Sequence, residues 1–320
     1  MTTVVPEKNL WLVGAGPMAR DHADVLDALE VPYAVIGRGD GSAATFEDAT
    51  GVPVLRGGVD AALADHGVRP SMAIVAVGVE VLADTVTTLL ESGVRRLLVE
   101  KPAAIDSTTL SSVSSIADRL GAEVVVGYNR RYYATVRAAR EMIAEDGGVV
   151  SCTFELSELP HASEPTGVAP EVRRRWLVAH SSHVVDLVFH LCGRPLDWAA
   201  WTTGSLDWHP DAARFAGAGV TDQGTIFAYH GDWEAPGRWG LDLLTRQRRQ
   251  VFRPLEELRV TTLGSLVDEV VTVDDDLDRR FKPGLLEQVR AFLSGNRTHA
   301  CMLAAQVELL PVYEKIAGYR

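Results

Sequence analysis

Residues 180–190 read HSSHVVDLVFH, three histidines and an aspartate among apolar residues and small hydroxyls. Those residue types at that density can hold a metal, move protons, or satisfy one another inside a buried helix. On a helix, His183, Asp186 and His190 fall within about 60° of arc, with His180 a turn-edge away. Val184, Val185, Leu187, Val188, Phe189 and Leu191 fill the rest, so the helix is expected to be buried nearly all round. A buried carboxylate needs partners, and Asp186 is expected to orient a histidine ring or cap backbone. His190 is read as a satisfied core or interface histidine. His180 and His183 beside a carboxylate would suit zinc. No other His, Cys or Glu cluster completes a site, and no metal is expected.

A different chemistry is written at GAGPMA, Gly14 to Ala19, between the apolar run LWLV (10–13) and a helical pattern carrying Val25, Leu26 and Leu29. A glycine loop that closes a strand and opens a helix is the dinucleotide fingerprint. Gly14 permits the tight turn, Gly16 lets backbone approach a pyrophosphate, and Ala19 stands for the third glycine where helix packs on strand. Pro17 and Met18 complete the loop, and the helix N-terminus offers free N–H groups to phosphates. About 20 residues on, an NAD site places Asp or Glu at the end of the second strand, accepting from the ribose 2′-hydroxyl. Here that strand ends VIGRGDGS (35–42), with Gly37 in place of the acid and Arg38 after it. Glycine leaves room for a 2′-phosphate, Arg38 can pair with it bidentately, and Ser42 adds a hydroxyl. Asp40 argues the other way but lies past the strand end, so NADP(H) is expected over NAD(H). Val77 and Gly78, closing the third strand, join the cofactor set.

The elements that position these residues alternate. LWLV, YAVIG (33–37), MAIVAV (72–77), RLLVEKP (96–102) and EVVVGYN (123–129) are strand-like, with helical patterns such as VLADTVTTLLESG and STTLSSVSSIADRLG between them. That alternation implies βαβ units and a parallel sheet. Beyond residue 148, VVSCTFELSE, WAAWTTG, GTIFAYHGDW, WGLDLLT, RQVFRPLEELRVTT and VDEVVTV read as a mostly antiparallel sheet. Two helical segments interrupt or close it, HVVDLVFHL and PGLLEQVRAFLSG (283–295). A last helix, CMLAAQVELLPVYEKIAGY, returns to brace one of the domains. The expected fold class is α/β: a Rossmann dinucleotide-binding domain over residues 1–125, then an α+β domain over 126–320 with a large, mostly antiparallel open sheet. LPHASEPTGVAPEV (159–172), which contains His161, reads as a lid.

The chain has 320 residues and a formal net charge of −12, a surface that repels phosphate backbones and anionic lipid. Neither nucleic acid nor membrane is expected as a partner. Cys152, Cys192 and Cys301 have neither disulfide nor zinc spacing, which fits a reducing cytosol. The first residues form no signal peptide, and no window reaches the roughly 18 apolar residues of a membrane span. A cytoplasmic protein is expected.

VEKPAA (99–104) at one strand end and GYNRRYY (127–133) at the next resemble the Gfo/Idh/MocA oxidoreductases. So do the glycine loop, the α/β-then-β order and the HVVD step, and the likeness spans essentially the whole chain. The resemblance implies a nicotinamide cofactor, hydride transfer on sugars, cyclitols or nucleotide sugars, and a homodimer or homotetramer. It makes Lys101 the active-site lysine, with Glu100 and Pro102 completing its motif and both Glu100 and Lys101 counted with the cofactor residues. An ammonium near the reacting oxygen stabilises a developing alkoxide. Pro102 is a candidate for a cis bond. The resemblance also makes His183 the acid–base residue. The family carries an aspartate four residues earlier, where this chain has Ala179, so His180 is the candidate to take over that polar role. Asn129 is assigned to the nicotinamide carboxamide, and Tyr128, Arg130 and Trp176 to the substrate along with His180 and His183. Arg131 and Tyr132 are expected to pack or to pair with carboxylates, and Arg173, Arg174 and Arg175 form a basic patch. The expected function is hydride transfer between NADP(H) and a carbonyl or hydroxyl of such a small molecule. A carbon–nitrogen double-bond reductase and a non-catalytic NADP-binding regulator are the alternatives.

Overall fold

Apolar runs without alternation become strands buried along most of their length, as a sheet covered on both faces requires. The computed structural model describes residues 9–66, 69–158 and 167–319, so His161 and the rest of 159–166 lie outside the described residues. The chain divides into two units, one running to Asn129 and including Leu277–Val307, the other comprising Arg130–Asp276 and the chain from Glu308.

The first unit holds β1 (Leu10–Val13), β2 (Ala34–Ile36), β3 (Val54–Leu55), β4 (Met72–Val75), β5 (Arg96–Val99), β6 (Glu123–Val126) and β15 (Cys301–Met302). Their order is β15-β6-β5-β4-β1-β2-β3, all parallel except β15. Helices α1 (Pro17–Ala28), α2 (Asp40–Thr50), α3 (Gly58–His66), α4 (Val79–Glu91) and α5 (Ser107–Arg119) make the crossovers. The chain leaves β1 toward one edge and β4 toward the other. The crevice outside their carboxyl ends is where such sheets bind ligands. Gly14 and Ala76 close that crevice. A Cβ on Gly14, whose φ is +126°, would run into the Ala76 carbonyl oxygen, so only glycine fits there.

The second unit holds β7 (Ser151–Leu156), β8 (Pro195–Thr203), β9 (Arg214–Thr221), β10 (Ile226–Asp232), β11 (Trp239–Leu244), β12 (Arg248–Phe252), β13 (Leu258–Thr262) and β14 (Glu269–Val270). Their order is β14-β13-β12-β11-β7-β10-β9-β8, antiparallel except for the β7–β10 pair. This is the mostly antiparallel sheet expected, although VDEVVTV supplies only the two residues of β14. Helices α6 (Ala134–Glu145), α7 (Pro170–Arg174) and α8 (Ser182–Cys192) belong to this unit. On α8, Phe189 meets Phe154 of β7 and Phe227 of β10 edge-on, at 6.0 and 5.4 Å between centroids.

Next come α9 (Asp276–Arg280) and α10 (Leu285–Ser294). The sequence reading set the α10 segment against the second sheet. Its apolar stripe of Leu285, Leu286, Val289 and Phe292 instead joins Leu12, Leu26, Phe46 and Ile74 in the first unit's core. The last helix, α11 (Leu303–Ala317), begins in the first unit and ends in the second. No described helix is long and apolar enough to cross a membrane.

Candidate active site

A cleft of about 530 Å3 opens at the carboxyl ends of β1, β2 and β4. Gly14, Gly16, Arg38, Ser42, Val77 and Gly78 line it, and all six were singled out from the sequence. Helices α1, α2 and α4 start at Gly16, Gly39 and Gly78, and none carries a side-chain cap. By contrast, Asp106 caps α5 by accepting from Thr109 N–H at 2.8 Å. Three glycine-started helices leave backbone donors uncommitted at one cleft, and nothing stands within 4 Å of where a Gly16 Cβ would be. These residues fit a dinucleotide diphosphate.

Gly37 has a structural reason besides the cofactor, since a Cβ there would meet Val54 Cγ1 at 2.7 Å. Asp40 faces Arg56 Nε at 3.6 Å, so its charge is partly countered. Arg56 is in turn held by Glu47. Arg38, exposed at the cleft, has neither ion pair nor hydrogen bond among the described residues.

Lys101 follows β5 in a tight turn. Glu100 N–H donates to the Val75 carbonyl at 2.9 Å, and Ala103 N–H closes the turn onto the Glu100 carbonyl at 3.1 Å. The Lys101–Pro102 bond is cis, and Ala103 adopts φ +71°. The Glu100 carboxylate is 3.0 Å from Nε2 of His22, a fully buried residue of α1. Tyr128 is buried, with its hydroxyl on Gln306 at 3.1 Å, and the Asn129 side-chain amide donates to the Pro283 carbonyl at 2.8 Å.

In the second unit, HSSHVVDLVFH is not one regular helix. Leu177–Ser181 form a π turn carrying His180, and α8 begins at Ser182 with His183 in its first turn. The wider turn changes the register assumed from a uniform 3.6 period, and such turns recur at functional sites. His180 stacks on Trp176 at 4.5 Å and meets the Trp239 ring at 5.0 Å. Its Nδ1 lies 3.3 Å from Glu158 Oε1, which also accepts from the Ser181 hydroxyl. His183 is 6.4 Å from the same Trp239 ring, and the Arg130 guanidinium sits over it at 5.0 Å. The second-unit residues assigned to substrate thus gather around Trp239. A cavity of about 290 Å3 lies beside them, lined by Glu158, His180, Arg238, Trp239, Leu255 and Glu256.

Among the described residues Asp186 pairs with Arg131 instead of orienting a histidine ring or capping backbone, which corrects the sequence expectation. It is fully buried and takes the Arg131 guanidinium as a fork, Nε to Oδ2 at 2.8 Å and Nη2 to Oδ1 at 2.6 Å. Burial holds its carboxyl above the usual carboxylate range, and the guanidinium offsets only part of that rise. The pairing of Arg131 with a carboxylate is as read.

The π turn is also pinned from behind. Leu177 N–H donates to the Tyr319 hydroxyl at 3.2 Å, which donates to His209 Nε2 at 2.8 Å, while His209 Nδ1 donates to the Ala212 carbonyl at 2.7 Å. Burial holds the His209 ring below and the Tyr319 hydroxyl above their ordinary ranges, so both stay neutral and the donors run one way. Arg175, one of the basic patch, is spent on this support, stacked on Tyr319 at 4.6 Å.

Residues 8–128 match the model of the Gfo/Idh/MocA oxidoreductase family, described by its NAD-binding Rossmann fold. Over those residues the chain is similar to that family. D-xylose 1-dehydrogenase (NADP(+)) 2 of Haloferax volcanii is 23% identical over 256 residues, 77% of this chain and 78% of the relative. UDP-N-acetylglucosamine 3-dehydrogenase from Acidithiobacillus ferrooxidans superposes with a TM-score of 0.75 at 18% identity, over 97% of each chain. Levoglucosan dehydrogenase in complex with NADH does so with 0.79 at 14% identity, over 97% of this chain and 96% of that one. At such identities the structural likeness carries the fold, a Rossmann-type unit followed by a mostly antiparallel sheet. These likenesses support an oxidoreductase with an NAD(P)-binding Rossmann unit.

Several residues of the candidate site escaped the sequence reading. His22 shares the buried face of α1 with Ala19, Ala23 and Leu26, and a histidine on an apolar stripe was the signal for it. Trp239 opens a strand and Glu158 precedes the lid stretch. Neither spacing announces convergence on His180, which only the sheet order brings about.

Proposed function

We propose that this protein transfers hydride between NADP(H) and a carbonyl or hydroxyl carbon of a sugar, cyclitol or nucleotide-sugar-like molecule. A bound nicotinamide supplies the hydride donor or acceptor. In reduction, the Lys101 ammonium stabilises the developing alkoxide and the His183 ring gives up the proton. Glu158, with His180 held against it, offers a carboxylate to substrate hydroxyls in the cavity beside Trp239. A carbon–nitrogen double bond is the second reading, favoured by Ala179 where the family's aspartate would stand.

The observation that carries the NADP(H) reading is Arg38, a cation at the cleft that spends its guanidinium on no described residue. Calorimetry is expected to give NADPH binding at least tenfold tighter than NADH, about 1.4 kcal/mol. Arg38→Ala should erase most of that difference. Tighter NADH binding by the parent protein would reverse the assignment.

We also infer a homodimer or homotetramer formed through the second sheet. Trp201 of β8 and Ile226 of β10 are 62% and 64% exposed, beside strand β9 whose outward residues include Ala216 and Ala218. A flat, small-residue face bearing large apolar side chains is one that monomers seldom leave open. Sedimentation at micromolar concentration should show no monomer as the main species, and a clean monomer would contradict this. The three cysteines form no disulfide, which supports a reducing, cytoplasmic location.

A further inference from the structure

Gln306 lies in the first turns of α11, fully buried, and its side-chain amide is shared among three strand ends. Nε2 donates to the Pro102 carbonyl at 3.2 Å and to the Tyr128 hydroxyl at 3.1 Å. Oε1 faces Cys301 Sγ at 3.9 Å, so the thiol can donate to it. Pro102 follows β5, Tyr128 follows β6, and Cys301 opens β15. A primary amide has two N–H donors, and here both are committed. One of them goes to the residue directly after Lys101.

The rest of the Lys101 turn is bracketed from the other side. Glu100 is fixed through its N–H on Val75, its carbonyl on Ala103 and its carboxylate on His22. Beyond the lysine, Ala104 and Ala103 are buried and offer no polar side chain. The Pro102 carbonyl is therefore the anchor on the C-terminal side of Lys101, and Gln306 holds it.

We propose that Gln306 is a positioning residue that aims Lys101, by tying the turn after β5 to the end of β6. An apolar side chain at 306 would leave the buried Pro102 carbonyl and Tyr128 hydroxyl without the amide's two donors. Unsatisfied buried groups of this kind are relieved by moving toward water. The Pro102 carbonyl directly follows Lys101 in the chain, so a shift of that carbonyl carries the lysine with it. This inference rests on Lys101 as the ammonium at the reacting oxygen, yet its test does not require turnover.

Lysines are few in this chain, at 8, 101, 282 and 315, so competitive acetic anhydride labelling read by mass spectrometry resolves each one. Gln306→Met keeps the side-chain length and removes both donors. Gln306→Glu keeps the size and, as the carboxylate at alkaline labelling pH, can still accept from the Tyr128 hydroxyl but cannot donate to Pro102. Both variants are expected to label Lys101 faster relative to Lys282 and Lys315. The expected ratio is about threefold or more, equivalent to half a pKa unit. Tyr128→Phe, which leaves the Pro102 contact in place, should label Lys101 at the parental ratio. Circular dichroism and NADPH binding report that each variant is folded. A folded Gln306→Met or Gln306→Glu protein with parental Lys101 labelling overturns the proposal. So does loss of folding in both while Tyr128→Phe folds, because Gln306 would then be a core residue only. If Lys101 labelling changes as expected while Lys101→Ala retains full turnover, the positioning stands and the role of the lysine falls.

Discussion

Lys101→Ala and His183→Ala are each expected to lower turnover by about 10²-fold or more while leaving NADPH affinity within a few-fold of the parent. The separation follows from where each contact is made. In the proposed function the cofactor's diphosphate and ribose are held in the cleft at Gly14, Gly16 and Arg38, and neither Lys101 nor His183 lines that cleft. Under the same proposal, removing the ammonium deprives a developing alkoxide of its counter-charge, and removing the imidazole deprives it of its proton. If the two groups act on one substrate oxygen, as proposed above, the double variant should lose less than the product of the two single losses. His180 provides the internal control. Its Nδ1 faces Glu158 and its ring is stacked on Trp176, which suits holding rather than proton transfer. Near-normal turnover in His183→Ala with none in His180→Ala would move the proton to His180.

The largest stability effect should come from Arg131→Ala. Asp186 is wholly buried and its two oxygens take the Arg131 fork at 2.6 and 2.8 Å. Breaking one side of such a pair costs about 3–5 kcal/mol, because the remaining charge stays buried without compensation. Replacing both, as in Arg131→Met with Asp186→Leu, is expected to recover most of that loss, since an apolar pair of similar volume needs no desolvated charges. Urea unfolding of the single and double variants reads both effects. A loss below about 1 kcal/mol for Arg131→Ala, the range of exposed pairs, would show that Asp186 is satisfied elsewhere.

The parts of this fold that sequence reveals are those fixed by local pattern. Unbroken apolar runs gave β1, β4, β5 and β6, and the glycine loop marked the cleft because backbone approach admits little else. Strand β9 was not read, since RFAGAGVT has few residues of strand preference. Its glycines have a tertiary reason. A Cβ on Gly217 would enter the Tyr229 ring, and one on Gly219 would strike Trp198. Neighbouring strands thus chose small residues that local propensity cannot explain. The same holds at the site. Spacing put His183 and Asp186 on one helix side but could not say that Arg131 takes the carboxylate. The π turn under His180 depends on Tyr319 and His209, far along the chain. Gln306, far from Pro102 in sequence, leaves no local mark at all.

The central claim is tested most directly by following absorbance at 340 nm while the protein, with NADP+, is offered a panel of aldoses, cyclitols, levoglucosan-type anhydrosugars and nucleotide sugars. NADPH formation is expected with at least one of them, faster than with NAD+, and slower by about 10²-fold or more in Lys101→Ala. Tight NADPH binding with no reduction or oxidation of any panel member or its carbonyl counterpart would contradict the account and leave a nicotinamide-binding protein without this chemistry.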